Sequence, residues 1–369
     1  MPCGRPVPGP LPADKTKRHT SSGFFPAWAD CVQLLRKTEA EPRGTTMAIS
    51  IPNKFKGTLI GCAVGDALGA PIEGMPPDAI REKYGKVTDF LDERFGAGRV
   101  TDDTQMTVCL AQSILETGNF YVEQTALKFG LWIAASDEGI KEARGVGMAC
   151  ATACRRLRDG LGPENSGVDS AGCGGAMRAG PIGLRYYHDP ETMLRASVGQ
   201  AGLTHNNPEA VAGAAAVAFA VGLGIADNGN IDRSSFLKRT SEHVAGINRN
   251  MSSKIAGLSD YLDAGPEEGF AYTGNGGYVM ETVAASLFAF LRSPYDLEET
   301  VITAVNAGGD TDSIGAIAGA VSGSFNGIDS IPLRWKDDLE GRDYIENLAL
   351  RLYTLTPAAR PKRRLLYWM

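Results

Sequence analysis

Two acidic turns, each standing directly before a helical segment of small or apolar residues, constrain this chain more than any other feature of its sequence. The first has the sequence TDDT at residues 101–104, and the second has the sequence AGGDTDS at residues 307–313. Two glycines in the second turn allow Asp310 and Asp312 to converge on one point, while Asp312 or Ser313 is expected to cap the following helix. Because like charges repel, such a cluster needs a counter-charge.

Together the two turns offer the oxygen ligands that hard cations prefer. Four aspartates, at positions 102, 103, 310 and 312, supply carboxylates, and neighbouring threonine and serine residues supply hydroxyl oxygens. Such a set binds Mg²⁺ or Mn²⁺ rather than Zn²⁺. If Glu73 joins the aspartates, five negative charges meet, and two dications would leave about one of them uncompensated. We therefore predict a two-metal site.

A simpler interpretation of the acidic turns is that each one only caps a helix and faces solvent, as most isolated pairs of this kind do at a helix start. The occurrence of two similar turns in one chain, each next to a small-residue or apolar helix, favours the metal site instead.

Composition excludes several classes of partner. The formal charge of -6 provides no broad basic field for a nucleic-acid backbone. We find no apolar run of the roughly 20 residues that a membrane span requires, and no secretory leader at the N-terminus. Seven scattered cysteines are typical of free thiols in a reducing compartment. We therefore expect a cytoplasmic protein without nucleic-acid or membrane partners.

The chain divides at about residue 50. Residues 1–50 are rich in proline and mixed charges, so we expect an extension that is either flexible or a partner-docking arm. In residues 51–369 the apolar positions follow helical spacing, with no sustained alternation and no internal repeat. This pattern predicts an all-α fold with a single compact domain.

Three local signals refine the helical map. Glycines spaced by four residues from Gly57 to Gly65 would form one closely packed helix face. Residues 65–74 are turn-rich, which lifts Glu73 out of that helix. Asn207-Pro208 combines a capping residue with a proline at the first helical position, and therefore predicts a helix start.

Two glycine-rich stretches are candidates for ligand binding. Residues 160–183 are interpreted as a loop that carries the sequence SAGCGGAMR at 170–178, and the second stretch is TGNGGY at 273–278. The first stretch lacks the preceding strand that a dinucleotide-binding fingerprint requires. It can still present backbone amides to phosphate or ribose.

Five motifs, in order along the chain, resemble those of the ADP-ribosylglycohydrolase family. They are GDALG at 65–69 with Glu73, TDDT at 101–104, GCGGAMR at 172–178, Thr204-His205, and GGDTDS at 308–313. The resemblance spans residues 55 to about 355 and implies an orthogonal bundle of helices with two Mg²⁺ (or Mn²⁺) ions. It also implies a hydrolase that releases ADP-ribose from a modified protein side chain by attack of water at the anomeric carbon of the ribose. N-linked arginine is the favoured linkage, and O-linked serine is the other candidate.

The resemblance assigns roles to individual residues. Metal ligands would be Thr101, Asp102, Asp103, Asp310, Asp312 and Ser313. Catalytic carboxylates would be Glu73, Asp102, Asp103 and Asp312. Substrate contacts would come from Ser170, Gly172, Cys173, Gly174, Gly175, Met177, His205, Gly276, Gly277 and Tyr278. The chain departs from the family at Cys173, where members typically have asparagine, and a thiol cannot donate an amide hydrogen bond.

Two other functions are compatible with these residues. Clustered aspartates also serve two-metal phosphoesterases, which would release phosphate from nucleotides. A non-catalytic ADP-ribose-binding protein, or an inhibitory or immunity-type partner, would keep the pocket without turnover. The presence of every metal-motif residue argues against an inactive protein. We expect a monomer whose substrate is an ADP-ribosylated protein.

Overall fold

The structure, a computed structural model, describes residues 49–227 and 229–356. The extension predicted for residues 1–50 lies outside these ranges except for its last two residues. Within the described ranges the chain forms α-helices and short 3₁₀ turns, with two isolated β-bridges and no β-strand. The predicted all-α class is therefore confirmed.

The helices of the first half are α1 (Ile51–Gly69), α2 (Pro77–Tyr84), α3 (Asp102–Thr117), α4 (Val122–Asp137), α5 (Met148–Arg158), α6 (Pro163–Ser166), α7 (Gly174–Met177), α8 (Gly180–Tyr186) and α9 (Pro190–Gly202). The helices of the second half are α10 (Pro208–Ala226), α11 (Arg233–Val244), α12 (Arg249–Gly257), α13 (Pro266–Thr273), α14 (Val279–Arg292), α15 (Leu297–Val305), α16 (Thr311–Asn326), α17 (Leu333–Asp338) and α18 (Arg342–Leu355). The 3₁₀ turns are Ala70–Ile72, Leu258–Tyr261 and Ile328–Ser330.

A glycine ladder joins α1 to α16 and positions the two ends that matter for function. We give this name to the four glycines of α1 that pack directly against the backbone of α16, namely Gly57, Gly61, Gly65 and Gly69. The contact is so close that a methyl group at any of them would overlap a main-chain carbonyl of α16. Gly61 faces Gly319, and Gly65 faces Gly315. The two helices run antiparallel, so the last turn of α1 meets the first turn of α16, where the Thr311 hydroxyl donates to the carbonyl of Gly69 at 2.8 Å.

The central helix of the core is α10, which packs against α7, α8, α9, α14 and α16. It begins as predicted, with the Asn207 side chain accepting from the amide of Glu209 and Pro208 in the first turn. By length and composition alone α10 is apolar enough to cross a membrane, which the sequence analysis did not recognise. In the fold, 89% of the most apolar 18-residue stretch of this helix is buried inside the protein.

Three local predictions were wrong. The helix α1 continues past Gly65 to Gly69, because both glycines still pack against α16. Residues 160–183 are not all loop, since α6, α7 and the start of α8 lie there as one- or two-turn helices that periodicity is too short to reveal. The N-cap of α16 is Asp310, so Asp312 and Ser313 lie inside the first helical turn.

Candidate metal centre

The predicted site residues meet in a cleft of about 330 Å³ between the N-termini of α3 and α16. It is lined by the majority of the predicted residues, namely Glu73, Asp102, Asp103, Ser170, Gly172, Cys173, Gly174, Met177, His205, Gly277, Asp310, Asp312 and Ser313. The fold therefore brings together two acidic turns that are more than 200 positions apart in the sequence.

Three of the four aspartates in the acidic turns are buried, and Asp310 is half-buried. Asp102, Asp103 and Asp312 are exposed by only 4%, 2% and 3%. Glu73, Asp310 and Asp312 each offer one carboxylate oxygen, and these three oxygens lie within 4.8 Å of one another. Neither the N-cap Thr101 of α3 nor the N-cap Asp310 of α16 caps its helix with its own side chain. The solvent-facing cap interpretation is wrong, because these aspartates point into a shared cleft.

Burial and mutual repulsion dominate the electrostatics of this cluster. Desolvation, followed by the charges of Asp66 and Glu73, raises the pKa of Asp102 to about 8. Desolvation also raises the pKa of Asp103 and of Asp312, each with a neighbouring aspartate as the next cause. Each carboxylate therefore destabilises the ionised form of the others. A bound cation would reverse this effect.

One atom of the cluster is directly suited to a cation. Among the described residues, the Oδ1 of Asp103 is buried without any hydrogen-bond partner. An unpaired buried carboxylate oxygen is costly in a folded protein, and it becomes satisfied when it ligates a metal. The donor set is carboxylate and hydroxyl oxygen, which fits Mg²⁺ or Mn²⁺.

Arg94 contributes a positive charge at the mouth of the cleft. Its Nη1 lies 2.5 Å from Oε2 of Glu73 and also donates to the carbonyl of Ala70 at 3.0 Å. Within the described ranges, no other ion pair involves Glu73 or the four clustered aspartates. Arg94 was not predicted as a site residue, because it lies in an irregular segment without a recognisable motif, where its φ is 54°.

Asp66 is a second residue that the sequence analysis did not single out, although it belongs to the GDALG motif. It is fully buried, and its carboxylate accepts from the amides and hydroxyls of both Thr101 and Thr104. Burial raises its pKa to about 6 in spite of these four donors. Asp66 thus caps α3 from a neighbouring helix and fixes the orientation of the adjacent aspartates.

The N-terminus of α5 forms another wall of the cleft that was not predicted. Gly145, Gly147, Met148, Ala149 and Cys150 line it. The N-cap Gly147 has no side chain that could cap the helix, and Met148, Ala149 and Cys150 of the first turn line the cleft. A glycine pair directly before a helical segment was the signal available in the sequence.

Main-chain hydrogen bonds join the loops around the cleft. The amide of Cys173 donates to the carbonyl of Gly277 at 3.1 Å, and Gly172 forms a β-bridge with Tyr278. The amide of Gly74 donates to the carbonyl of Gly309 at 2.7 Å. The two glycine-rich loops are thereby joined to each other, and the segment that carries Glu73 is joined to the second acidic turn.

Four predicted residues lie next to the cleft rather than on its lining. The Thr101 hydroxyl is bound to Asp66, and Gly175 packs against Ala201. Gly276 donates its amide to Glu281 at 2.8 Å. Tyr278 is 42% exposed, and its hydroxyl donates to Glu209 at 2.7 Å. These four positions support the loops whose neighbouring residues reach the cavity.

His205 is held by a buried relay. The Arg178 guanidinium is fully buried and donates to the hydroxyl of Thr204 at 2.7 Å, and that hydroxyl lies 2.9 Å from Nδ1 of His205. Burial, followed by the charge of Arg178, lowers the pKa of His205 to about 3. Since the hydroxyl accepts from Arg178, its own proton is free to go to Nδ1. We therefore assign a neutral ring whose Nε2–H is available on the side of Gly172.

A larger groove of about 890 Å³ lies between α2 and α13, on the other side of the loop that precedes Asp310. Its cations are already paired, with Arg81 at 3.6 Å from Glu267 and Lys86 at 3.3 Å from Glu299. It contains none of the clustered aspartates. The acidic cleft is therefore the better candidate for chemistry.

Comparison with known proteins agrees with this geometry. The family model described as ADP-ribosylglycohydrolase matches residues 47–362. An uncharacterized protein of Archaeoglobus fulgidus is 36% identical over 305 residues, which cover 82% of this chain and 96% of that protein. The ADP-ribosylarginine hydrolase Tri1 of Pseudomonas putida is 28% identical over 320 residues, covering 85% and 82%. A solved structure described as an ADP-ribosylglycohydrolase-related protein complex has 29% identity and a TM-score of 0.69, covering 83% of this chain and 99% of that one.

Proposed function

Because the chain belongs to the ADP-ribosylglycohydrolase family and is thus a hydrolase that removes ADP-ribose, we propose that it releases ADP-ribose from a modified arginine side chain of a protein. Serine is the other candidate linkage. The observation that carries the proposal is the convergence of Glu73 and four aspartates, three of them buried, in one cleft of about 330 Å³. The name of the similar arginine hydrolase of Pseudomonas putida supports the choice of arginine.

The proposed centre takes two Mg²⁺ or Mn²⁺ ions. Their ligands would be Asp102 and Asp103 on one side and Asp310, Asp312 and Ser313 on the other, all of which line the cleft. Thr101 would add a hydroxyl lone pair, since it already donates its proton to Asp66. When bound, such cations would polarise ribose hydroxyls and lower the pKa of a coordinated water.

The remaining walls are suited to the ADP-ribosyl group itself. The first turn of α5 and the amide of Gly174, both of which line the cleft, would offer donors to the diphosphate. His205, which carries a proton on Nε2 in our assignment, offers another donor to a phosphate or ribose oxygen. Loss of the side-chain leaving group passes through an oxocarbenium-like state in glycoside cleavage.

Glu73 is the proposed proton carrier. It lies at the mouth of the cleft with its side chain 31% exposed, whereas the aspartates are more enclosed. Arg94 donates to Oε2 of Glu73 and can orient the carboxylate toward an incoming water. A positioned carboxylate acts as general base for the water or general acid for the leaving group.

The test is a release assay on arginine-linked and serine-linked ADP-ribosyl peptides, with Mg²⁺, Mn²⁺ or EDTA, in which free ADP-ribose is measured. We expect metal-dependent release by the wild-type protein and a loss of at least about 100-fold in Asp102→Asn and Asp310→Asn. Asp137→Asn, at a carboxylate of α4 outside the cleft, is the matched control and should keep full activity.

Full turnover by Asp102→Asn and Asp310→Asn in metal-stripped buffer with added Mg²⁺ would contradict the proposal. Stoichiometric ADP-ribose binding without hydrolysis would indicate a binding protein instead. Release of phosphate from nucleotides, with ADP-ribosyl peptides left intact, would indicate a phosphoesterase.

A further inference from the structure

The thiol of Cys173 lies among the oxygens of the proposed centre. Its Sγ is 3.1 Å from Oδ2 of Asp310 and 3.4 Å from Oγ of Ser313. Cys173 lines the same cleft as the five carboxylates. The backbone of Cys173 is fixed, because its amide donates to the carbonyl of Gly277 at 3.1 Å.

These two distances are those expected between ligand atoms that share one ion. A cation about 2.3 Å from sulfur and about 2.1 Å from oxygen separates the two ligand atoms by roughly 3.1 to 3.6 Å, for ligand angles between 90° and the tetrahedral value. Both separations from Cys173 fall within this range. The sulfur therefore lies where a donor to the same ion as Asp310 and Ser313 would lie.

An independent feature of the cleft also indicates a cation. Among the residues that the structure describes, Oδ1 of Asp103 is buried without a partner, and this residue lines the cleft that contains the thiol. Glu73, Asp310 and Asp312 place three further oxygens within 4.8 Å of one another. The cleft that contains the thiol thus also contains an unsatisfied oxygen and three converging carboxylate oxygens.

We propose that Cys173 is a sulfur ligand of this centre, which gives the ion next to Asp310 a mixed sulfur and oxygen environment. Thiolate ligands favour thiophilic dications such as Zn²⁺, Cd²⁺ and Co²⁺ over Mg²⁺. On binding, the cation takes the place of the thiol proton, which passes to solvent. The inference rests on the proposed metal centre. It adds a preference for thiophilic cations, which an asparagine amide at this position would not confer.

The simpler role for Cys173 is that of a neutral hydrogen-bond donor. In that arrangement the thiol donates to Asp310 and fills space, and no bond forms between sulfur and the ion. The two roles differ in a spectroscopic property, since only a sulfur–metal bond produces a sulfur-to-metal charge-transfer absorption.

The experiment titrates the metal-stripped full-length protein with Co²⁺ and records the near-ultraviolet spectrum of wild type, Cys173→Ser and Cys150→Ser. Cys150 is the matched control, because it also lines the cleft but its Sγ lies 3.8 Å from the guanidinium of Arg178. We expect the charge-transfer band in wild type and Cys150→Ser and its loss in Cys173→Ser.

Calorimetry supplies the second readout. We expect Zn²⁺ to bind Cys173→Ser and Cys173→Asn at least about 10-fold more weakly than wild type, whereas Mg²⁺ affinity changes by less than about 3-fold. Thermal unfolding without metal identifies any variant that fails to fold. If Cys173→Ser does not fold, Cys173→Asn replaces it in the comparison.

The outcomes separate the two proposals. Binding of Co²⁺ without a charge-transfer band, or equal Zn²⁺ affinity in wild type and Cys173→Ser, overturns the role of Cys173 and leaves the metal centre standing. Loss of the band in Cys150→Ser alone also overturns it. Failure of the wild-type protein to bind any of these cations overturns the metal centre as well.

Discussion

The carboxylate of Asp66 accepts two hydrogen bonds from Thr101, one from the amide at 2.9 Å and one from the hydroxyl at 2.8 Å. Asp66 belongs to α1, and Thr101 is the N-cap of α3. The start of α3 is therefore capped by a residue of another helix, and the aspartates that follow are left free to face the cleft.

Replacing Asp66 tests this cross-helix cap. We expect Asp66→Ala to lower the free energy of unfolding by about 3 kcal/mol, because buried donors of Thr101 and Thr104 lose their acceptor. Asp66→Asn should lose about half as much, since one amide oxygen still accepts. Urea denaturation measures both variants. A loss below about 0.5 kcal/mol in Asp66→Ala would rule out this role.

The glycine ladder gives a second prediction. Gly61→Ala should lower the free energy of unfolding by about 3 kcal/mol, because its methyl group would overlap the backbone of Gly319. Gly202→Ala is the matched control, since Gly202 is also helical and a methyl group there meets no atom within 4 Å. The control should be neutral or stabilising by up to about 1 kcal/mol. Equal effects of the two substitutions would contradict close packing of α1 and α16.

Removing one carboxylate charge from the cleft should raise the thermal stability of the metal-free protein and reduce the stability that it gains from added metal. In EDTA, we expect Asp312→Asn to raise the melting temperature by about 2–4 °C, because it relieves repulsion among buried carboxylates. With Mg²⁺ or Mn²⁺, wild type should gain stability and the variant should gain less. Thermal scans measure both. A variant that loses stability in EDTA would show that repulsion is not the dominant effect.

We expect His243 to contribute to the loss of folding stability at acidic pH. Its ring stacks on Phe219 with centroids 4.0 Å apart, its Nε2 is buried without a partner among the described residues, and burial lowers its pKa to about 4. The unfolded chain binds a proton near pH 6.5 that the folded protein excludes until about pH 4. This contribution to stability is therefore present above pH 6.5 and lost as the pH falls toward 4.

The variant His243→Phe isolates this component, because it keeps the stacking and removes the titration. Between pH 7 and pH 4.5, the free energy of unfolding of wild type should fall by roughly 1 kcal/mol more than that of the variant, a figure reduced for the partial exposure of the ring. Denaturant titrations at several pH values measure the difference. Parallel pH profiles for the two proteins would refute the assignment.

The relay behind His205 gives a prediction that depends on the proposed function. Thr204→Val removes the hydroxyl that bridges Arg178 and His205, so the imidazole loses its fixed tautomer. We expect kcat/KM for ADP-ribosyl peptide to fall about 10-fold, and Thr204→Ser to restore it. Nitrogen NMR of the His205 ring checks the tautomer independently of turnover. Unchanged ring shifts in Thr204→Val would exclude the relay.

The sequence predicted those parts of the structure that depend on neighbouring residues. The capping side chain of Asn207, which accepts from the amide of Glu209 at 2.9 Å, marks the start of α10 through a contact within two residues. The meeting of the two acidic turns was also predictable, because each turn alone carries charge that is too costly to bury without a cation.

The rest depends on how helices pack, and periodicity does not specify this. Asp66 reaches Thr101 across 35 positions, and Cys173 reaches Asp310 across 137. Arg94 has no motif, and it pairs with Glu73 only because an irregular segment returns to the end of α1. Such contacts follow from the tertiary packing of the helices, in which the glycine ladder sets the distance between α1 and α16.

The glycine ladder determines how a structural change elsewhere in α1 or α16 would affect the cleft. Side chains in contact can change rotamer to absorb a disturbance, but α1 and α16 touch through their main chains, which have no such freedom. A displacement introduced near Gly57 would travel along both helices as a rigid movement and arrive at Asp310 with little attenuation. The proposed metal centre should therefore be lost in one step, while the helices remain intact.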